Sequence, residues 1–289
     1  MAKKESGAEV KVKSSDPVFL SELHEQDAPA DIRAIYGEIR RLTGVPMVAL
    51  IWRHLATIPG ALPNAWSSVA PVLRSGLLQE TAWRITVDAR LPALQPPTRP
   101  RLSRMGIDDA ARDAVVTVLD AYNRANPVNM LCVNVLLARL MRPDGQALAP
   151  DVFLWDVPSP IGALPRMIAP AEMPRELRAT LEGLSGLEPG TGAPTIPSLY
   201  RHLVPWPGFI DWLAAALRPC ISDGSVGRAV VAIQNRMSRE AEALVVHVPP
   251  ALALQAHPEA KTALTRFSSL IPEMIVIGRM LRETMPASD

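Results

Sequence analysis

Apolar positions recur every three or four residues along most of the chain, and this spacing predicts amphipathic α-helices. Residues that favour helices, such as Ala, Leu, Arg, Glu and Met, are abundant, whereas the alternation typical of β-strands is hardly seen outside 244–248. The pattern therefore predicts an all-α fold. The expected helices lie near 30–42, 47–57, 60–75, 78–90, 108–125, 128–141, 174–185, 195–204, 207–219, 223–245, 258–270 and 273–285.

The 29 prolines are expected to mark the ends of these segments. A proline costs little at a first helical turn or just past a helix end, where its missing N–H has no intrahelical partner to lose. We expect Pro46, Pro127, Pro194 and Pro272 at such places. The two longest helical patterns are accordingly each divided into two helices.

The chain also contains an internal repeat. The segment from Gly44, GVPMVALIWRHLATIPG, aligns without a gap with the segment from Gly192, GAPTIPSLYRHLVPWPG, at an offset of 148. Blocks upstream and downstream match at an offset of 145. Three blocks in the same order predict a duplicated helical unit. The predicted organisation is a disordered or extended tail at 1–27, a first repeat at 28–142, a Pro-rich linker at 143–172 and a second repeat at 173–289.

Two copies of one unit are expected to pack about a pseudo-two-fold axis, in the manner of a homodimer. The seam of this pseudo-dimer is a natural place for a small-molecule cavity between helices. Each copy also has a helix that begins after a GxP motif, and the free backbone N–H groups of such a helix favour an anion. We therefore expect a small carboxylic acid as substrate or ligand, held without a metal.

Composition excludes several other classes of protein. With 30 Lys and Arg against 29 Asp and Glu, the net charge of +1 gives no drive toward nucleic acid or an anionic membrane. Cys132 and Cys220 are far apart and form no CxxC motif, which argues against disulfide scaffolds and structural zinc. No signal peptide, membrane span or common cofactor motif is found. We expect a cytoplasmic protein with no cofactor, and the sequence leaves open whether the pseudo-dimer forms a homodimer.

Several segments resemble the group I (DL) 2-haloacid dehalogenases. They are IYGEIRRLTGVPMVALIWRHLATIPGALPNAW in the first half, VLDAYNRANPVNML, the LVPWP of the second half, and the duplication itself. The resemblance implies an all-helical pseudo-dimer whose active site lies between the halves. It further implies attack of a water on C2 of a 2-haloalkanoic acid, with inversion and without a covalent intermediate.

The family's catalytic positions are only partly kept. Its water-orienting asparagine corresponds to Asn126, whereas its catalytic aspartate corresponds to Leu199, which cannot accept a proton. The family's pocket residues correspond to Met47, Leu50, Ser75, Ser198 and Phe267. His202 lies one helical turn after Leu199 and is a candidate base, because histidine near its ordinary pKa accepts protons at neutral pH.

Each of these residues also has a structural interpretation. The repeated ArgHisLeu motifs can serve the same packing contact in both halves, and Asn126 before Pro127 can be a helix N-cap. Trp52 and Tyr200 are interpreted as core residues, and Asp120 and Glu273 as solvated surface acids.

Three hypotheses about function follow from the sequence. The protein is a dehalogenase-type hydrolase, an enzyme that carries out another reaction on a small acid, or a relative that only binds a small carboxylate between the repeats.

Overall fold

The computed structural model describes residues 21–142, 146–149, 155–185 and 196–285. Within these ranges the chain folds into α-helices joined by loops and short 3₁₀ turns, and no β-strand occurs, so the predicted all-α fold is confirmed. Within 244–248, Leu244 is the last residue of a helix and Val245–His247 form a 3₁₀ turn. The α-helices are α1 (Ala30–Thr43), α2 (Leu50–Leu55), α3 (Ala61–Arg74), α4 (Leu77–Val87), α5 (Arg99–Arg104), α6 (Asp109–Leu140), α7 (Arg175–Leu184), α8 (Ser198–Leu203), α9 (Pro207–Ser222), α10 (Ser225–Leu244), α11 (Leu252–Gln255) and α12 (Pro258–Thr284).

The two long helices α6 and α12 pack against each other and form the centre of the molecule. Each runs through a proline, Pro127 in α6 and Pro272 in α12, so the expected helix breaks at these positions are wrong. An internal proline removes one backbone hydrogen bond and costs about 3 kcal/mol. Both prolines are buried, and α6 is buried almost continuously from 127 to 136. Burial of this apolar surface outweighs the cost of each proline.

Most of the other predicted helices are present with small shifts at their ends. The helix expected at 47–57 is the shorter α2, and the one expected at 195–204 is the shorter α8. Pro46 lies in the loop before α2, as expected, while Pro194 lies outside the described residues. The helix α6 begins at an N-cap, Asp108, whose carboxylate accepts a hydrogen bond from the N–H of Ala111 at 2.8 Å.

The described part of the predicted linker packs on both halves of the chain. The Trp155 ring lies against Gly76, where an added Cβ would come within 2.1 Å of the ring. Gly76 has φ +80°, a conformation that glycine adopts without strain. The N–H of Ile161 donates a hydrogen bond to the Gly44 carbonyl of the first half at 2.9 Å. The N–H of Ile168 donates to the Arg201 carbonyl of the second half at 3.2 Å. Residues 143–145 and 150–154 lie outside the described ranges.

The predicted N-terminal tail lies partly outside the described residues, which begin at Ser21. The carboxylate of Glu22 accepts hydrogen bonds from Arg53 of α2, and the Ser21 carbonyl lies 2.7 Å from His54 Nδ1. A 3₁₀ turn, Glu25–Asp27, leads into α1. The segment 21–27 is therefore bound to the first helices.

The helices follow the same order in the two predicted repeats. The bounds of α2 and α8 differ by the offset of 148 at both ends, and the internal prolines of α6 and α12 differ by 145. These correspondences agree with the duplication, which stays a prediction. No helix in the described part of the chain has the length and apolar character that a membrane span requires.

Candidate active site

A cavity of about 130 Å³ lies where α2, α6, α8 and α12 meet. Its wall is mainly apolar and combines the segments that enter α2 and α8 with one face of each long helix. This cavity brings together seven residues singled out from the sequence: Met47, Leu50, Asn126, Ser198, Leu199, His202 and Phe267. The roles assigned to them remain predictions.

Ser75 is not part of the cavity wall, in contrast to the expectation from the resemblance. It follows the last residue of α3, and its hydroxyl donates to the Val72 carbonyl at 2.8 Å. The hydroxyl thereby satisfies a carbonyl at the helix end, where the chain turns toward α4. The structure thus gives Ser75 a local capping role.

Asn126 is half-buried in the interior of α6, so its interpretation as a helix N-cap is wrong. The helix continues through Pro127 and begins instead at Asp108. Among the described residues, the Asn126 amide makes no hydrogen bond, whereas Asn129, one turn on, accepts one from Trp52 at 2.8 Å. The Asn126 amide is consequently available to a water or a ligand in the cavity.

Leu199 is 1% exposed and lies in the first turn of α8. Its Cδ2 would be 3.8 Å from a Cβ built on Gly278 of α12, so the two helices meet closely here. The side chain fills the cavity wall with a methyl surface. No proton acceptor is present at this position.

Tyr122 is hydrogen-bonded to His202 at the cavity wall. Its hydroxyl lies 2.8 Å from His202 Nδ1. Burial raises the pKa of Tyr122 above its ordinary value, so the hydroxyl stays neutral. Tyr122 was not singled out from the sequence, although it lies one helical turn before Asn126 and such a pair shares a helix face.

His202 is poorly suited to the role of base. Its pKa is lowered to about 4, mainly by burial and also by the positive charges of Arg201 and Arg53, while a hydrogen bond with the Ser198 backbone acts in the opposite direction. The ring is therefore neutral at neutral pH, and proton uptake would place a cation in an apolar wall beside two guanidinium groups. Its hydrogen bond to Tyr122 gives it a positioning role within the wall.

The two arginines of the ArgHisLeu motifs are both engaged in structural contacts. Arg53 lines the cavity, but its guanidinium binds the Glu22 carboxylate at 2.7 and 2.8 Å and the Val48 carbonyl at 2.6 Å. Arg201 donates to the Ile168 carbonyl at 3.1 Å. These contacts agree with the structural interpretation of the motif.

The four residues interpreted as core or surface from the sequence divide into two groups. Trp52 and Tyr200 are fully buried core residues, as expected, and Asp120 forms an ion pair with Arg282 at 2.6 Å. Glu273 departs from its predicted surface position, because it lines the cavity and is half-buried.

Burial raises the pKa of the Glu273 carboxyl above its ordinary value. Glu273 was expected at the surface because a helix starting after Pro272 would expose its first turn. Residues three apart share a helix face, so Glu273 lies on the same face of α12 as Leu270. Both residues line the cavity.

Comparison with known proteins identifies related enzymes. No protein-family model matches the chain. Over 135 residues the chain is 33% identical to a configuration-inverting 2-haloacid dehalogenase from Alcaligenes xylosoxydans xylosoxydans, and the match covers 46% of this chain and 46% of the relative. The aligned part therefore spans about half the length of the curated relative.

Solved structures of D-2-haloacid dehalogenases share the fold over nearly the whole chain. A mutant in complex with D-2-CPA has a TM-score of 0.70 at 20% identity, covering 94% of this chain and 97% of the other. The enzyme in complex with L-LA has a TM-score of 0.69 at 19% identity, covering 96% and 98%. The resemblance to the 2-haloacid dehalogenase family predicted from the sequence is thus confirmed, through sequence similarity over about half of the chain and through a shared helical fold over nearly all of it.

Proposed function

We propose that this protein is a 2-haloacid dehalogenase-like hydrolase. It binds a small 2-haloalkanoic acid in the cavity between α2, α6, α8 and α12, which we interpret as the seam between two copies of one helical unit. A water attacks C2 of the bound acid without a covalent intermediate. The observation that carries this proposal is the available Asn126 amide in the cavity wall, at the position of the family's water-orienting asparagine.

The size and lining of the cavity support a small substrate. An apolar cavity of about 150 Å³ can hold a benzene molecule, so a volume of about 130 Å³ leaves room for a short haloacid. Met47, Leu50 and Phe267 give this cavity an apolar wall suited to an alkyl group and a halogen.

Displacement of the halide requires a group in the cavity wall that orients the attacking water. The water oxygen forms a bond to C2 while the bond from C2 to the halogen breaks on the opposite face, which inverts the configuration. The halide leaves with the bonding electron pair, and the water loses one proton. The Asn126 amide oxygen accepts a hydrogen bond from this water and thereby directs its lone pair toward C2.

A catalytically diverged or inactive relative that binds a small carboxylate is the alternative. The observations that favour it are the buried Leu199 at the family's aspartate position and the low pKa of His202, about 4. The same cavity would then serve binding alone.

Halide release from D- and L-2-chloropropionate tests the proposed function. The purified chain should release chloride above the uncatalysed background, measured from mildly acidic to alkaline pH. Release at the background rate with both enantiomers and with the bromo analogues would end the proposal. Melting temperature in the presence of a series of small carboxylates tests the alternative, which complete indifference would contradict.

Variants of Asn126 test the role of its amide. Asn126→Ala should lower kcat by about 10²-fold, the cost typical of a reactant misplaced by roughly 1 Å, and leave the binding of 2-chloropropionate little changed. The matched control is Asn123→Ala on the same helix, whose amide donates to the Gly278 carbonyl at 3.0 Å and does not line the cavity. Equal effects of the two substitutions on kcat would contradict the assigned role.

A further inference from the structure

We propose that Glu273 is the general base that accepts the proton of the attacking water in this chain. The inference rests on the proposed function and adds the group that the function requires. It assigns the proton acceptor to α12, whereas the resemblance implies a base at Leu199 on α8.

Glu273 shares the cavity with Asn126, the residue proposed to orient the water. It is half-buried on α12, and Asn126 lines the same cavity from α6. Because α6 and α12 pack against each other, the carboxyl and the amide belong to neighbouring helices. A water between them can be oriented by the Asn126 amide and can give its proton to the Glu273 carboxylate.

The Glu273 carboxyl combines a place in the cavity wall with the lack of a partner. Among the described residues it makes no hydrogen bond and no ion pair. Two other partly buried acids are paired: Glu22 with Arg53, and Glu38 with Arg74 and the Trp66 ring N–H. An uncompensated carboxyl in an apolar wall costs free energy, and groups of this kind cluster at functional sites.

The titratable groups around Glu273 leave its basicity intact. On α2, the charge of Arg53 is offset by its ion pair with Glu22. On α6 and α8, the hydroxyls of Tyr122 and Tyr200 stay neutral, because burial raises their pKa, and His202 is neutral above about pH 4.

Among the described residues of the wall, no cation therefore pairs with the carboxyl and reduces its proton affinity. Burial raises the pKa of Glu273 above its ordinary value, which makes the ionised carboxyl a stronger base than a solvated one.

The proton balance of the reaction is then complete. The water oxygen bonds to C2, halide departs from C2 with the bonding pair, and one proton of the water moves to a carboxylate oxygen of Glu273. The products are the 2-hydroxy acid of inverted configuration, halide and a protonated Glu273. Loss of this proton to solvent restores the enzyme.

Glu273→Gln tests the inference, because the amide keeps the size of the side chain and cannot accept the proton. Halide release from 2-chloropropionate should fall by about 10²–10⁴-fold in kcat, with little change in KM. The acidic limb of the kcat/KM profile, set by Glu273 in the wild type, should disappear. Glu273→Asp, which keeps a carboxyl, should retain part of the activity. The matched control is Glu283→Gln on the exposed side of α12, which should match the wild type.

The outcomes separate the two proposals. Absence of halide release from the wild type overturns the proposed function and with it the inference. Wild-type activity that persists in Glu273→Gln overturns the inference alone and leaves the function in place. Circular dichroism and a melting curve establish that each variant is folded. If Glu273→Gln does not fold, a wild-type rate in a folded Glu273→Ala variant overturns the inference equally.

Discussion

Replacing Leu199 by aspartate puts a carboxyl at the position of the family's catalytic aspartate, as the resemblance implies. The variant is best made together with Glu273→Gln, because two carboxylates in one cavity raise each other's pKa. In this background the carboxylate of the new aspartate is the base that takes the proton of the water. We expect Leu199→Asp to restore halide release that Glu273→Gln has removed.

The structure sets the cost of this substitution. Leu199 is 1% exposed, so its loss forfeits about 2 kcal/mol of apolar burial. Burial also raises the pKa of the new carboxyl, and ionising this carboxyl costs about 1.4 kcal/mol of stability for each pKa unit of the rise. A domain with a stability of about 5–15 kcal/mol should remain folded under this loss. The gain in kcat over Glu273→Gln should be about 10²–10⁴-fold, the contribution of a general base.

The assay is chloride release from D- and L-2-chloropropionate across a pH series, since a raised pKa shifts activity of the new carboxyl to higher pH. The control is Leu199→Asn in the same background, which introduces similar size and polarity without a base. A folded double variant that stays at the rate of this control at every pH would refute the reasoning. The refuted step would be the alignment of Leu199 with the family's aspartate.

Two further predictions concern stability. In urea unfolding, Gly76→Ala should destabilise the fold by about 1–3 kcal/mol more than Gly106→Ala. Both glycines have positive φ, but only at Gly76 would an added Cβ meet the Trp155 ring, at 2.1 Å. Equal losses of stability in the two variants would show that Trp155 does not pack on Gly76. His202 has a folded pKa of about 4 and an ordinary value of 6.5, so the native state binds fewer protons than the unfolded state between these values. The free energy of unfolding should therefore fall by up to about 3 kcal/mol as the pH drops from 6.5 to about 4. The His202→Gln variant should lack this loss, and the control variant His54→Gln should keep it. An identical pH dependence of stability in both variants would contradict the burial of His202.

Periodicity predicted most helices because an amphipathic helix repeats its apolar face every three to four residues, a local property. The same reasoning failed at Pro127 and Pro272, where a local rule predicts a helix end. In both long helices, burial against neighbouring helices compensates for the lost hydrogen bond. Burial of this kind depends on partners far away in the sequence, so no local pattern reports it.

The site shows the same division. Asn126, Ser198 and Leu199 could be singled out because motifs carry them, and they line one cavity. Tyr122 was not singled out, although it lies in the VLDAYNRANPVNML segment. Glu273 was assigned to the surface, because its interpretation depended on a helix end that does not exist. Their importance comes from what surrounds them in space.

The sequence by itself determined the helical class of the protein, the resemblance to 2-haloacid dehalogenases and the absence of a carboxyl at position 199, because each depends on residue identity and spacing. Only the tertiary structure decided that α6 and α12 run unbroken through their prolines and that His202 is buried and weakly basic. It also decided that Glu273 lines the cavity with no hydrogen-bonding or ionic partner in the part of the chain that the structure describes. The physical reason is that solvation sets the proton affinity of a side chain, and the degree of solvation is fixed when distant helices pack together.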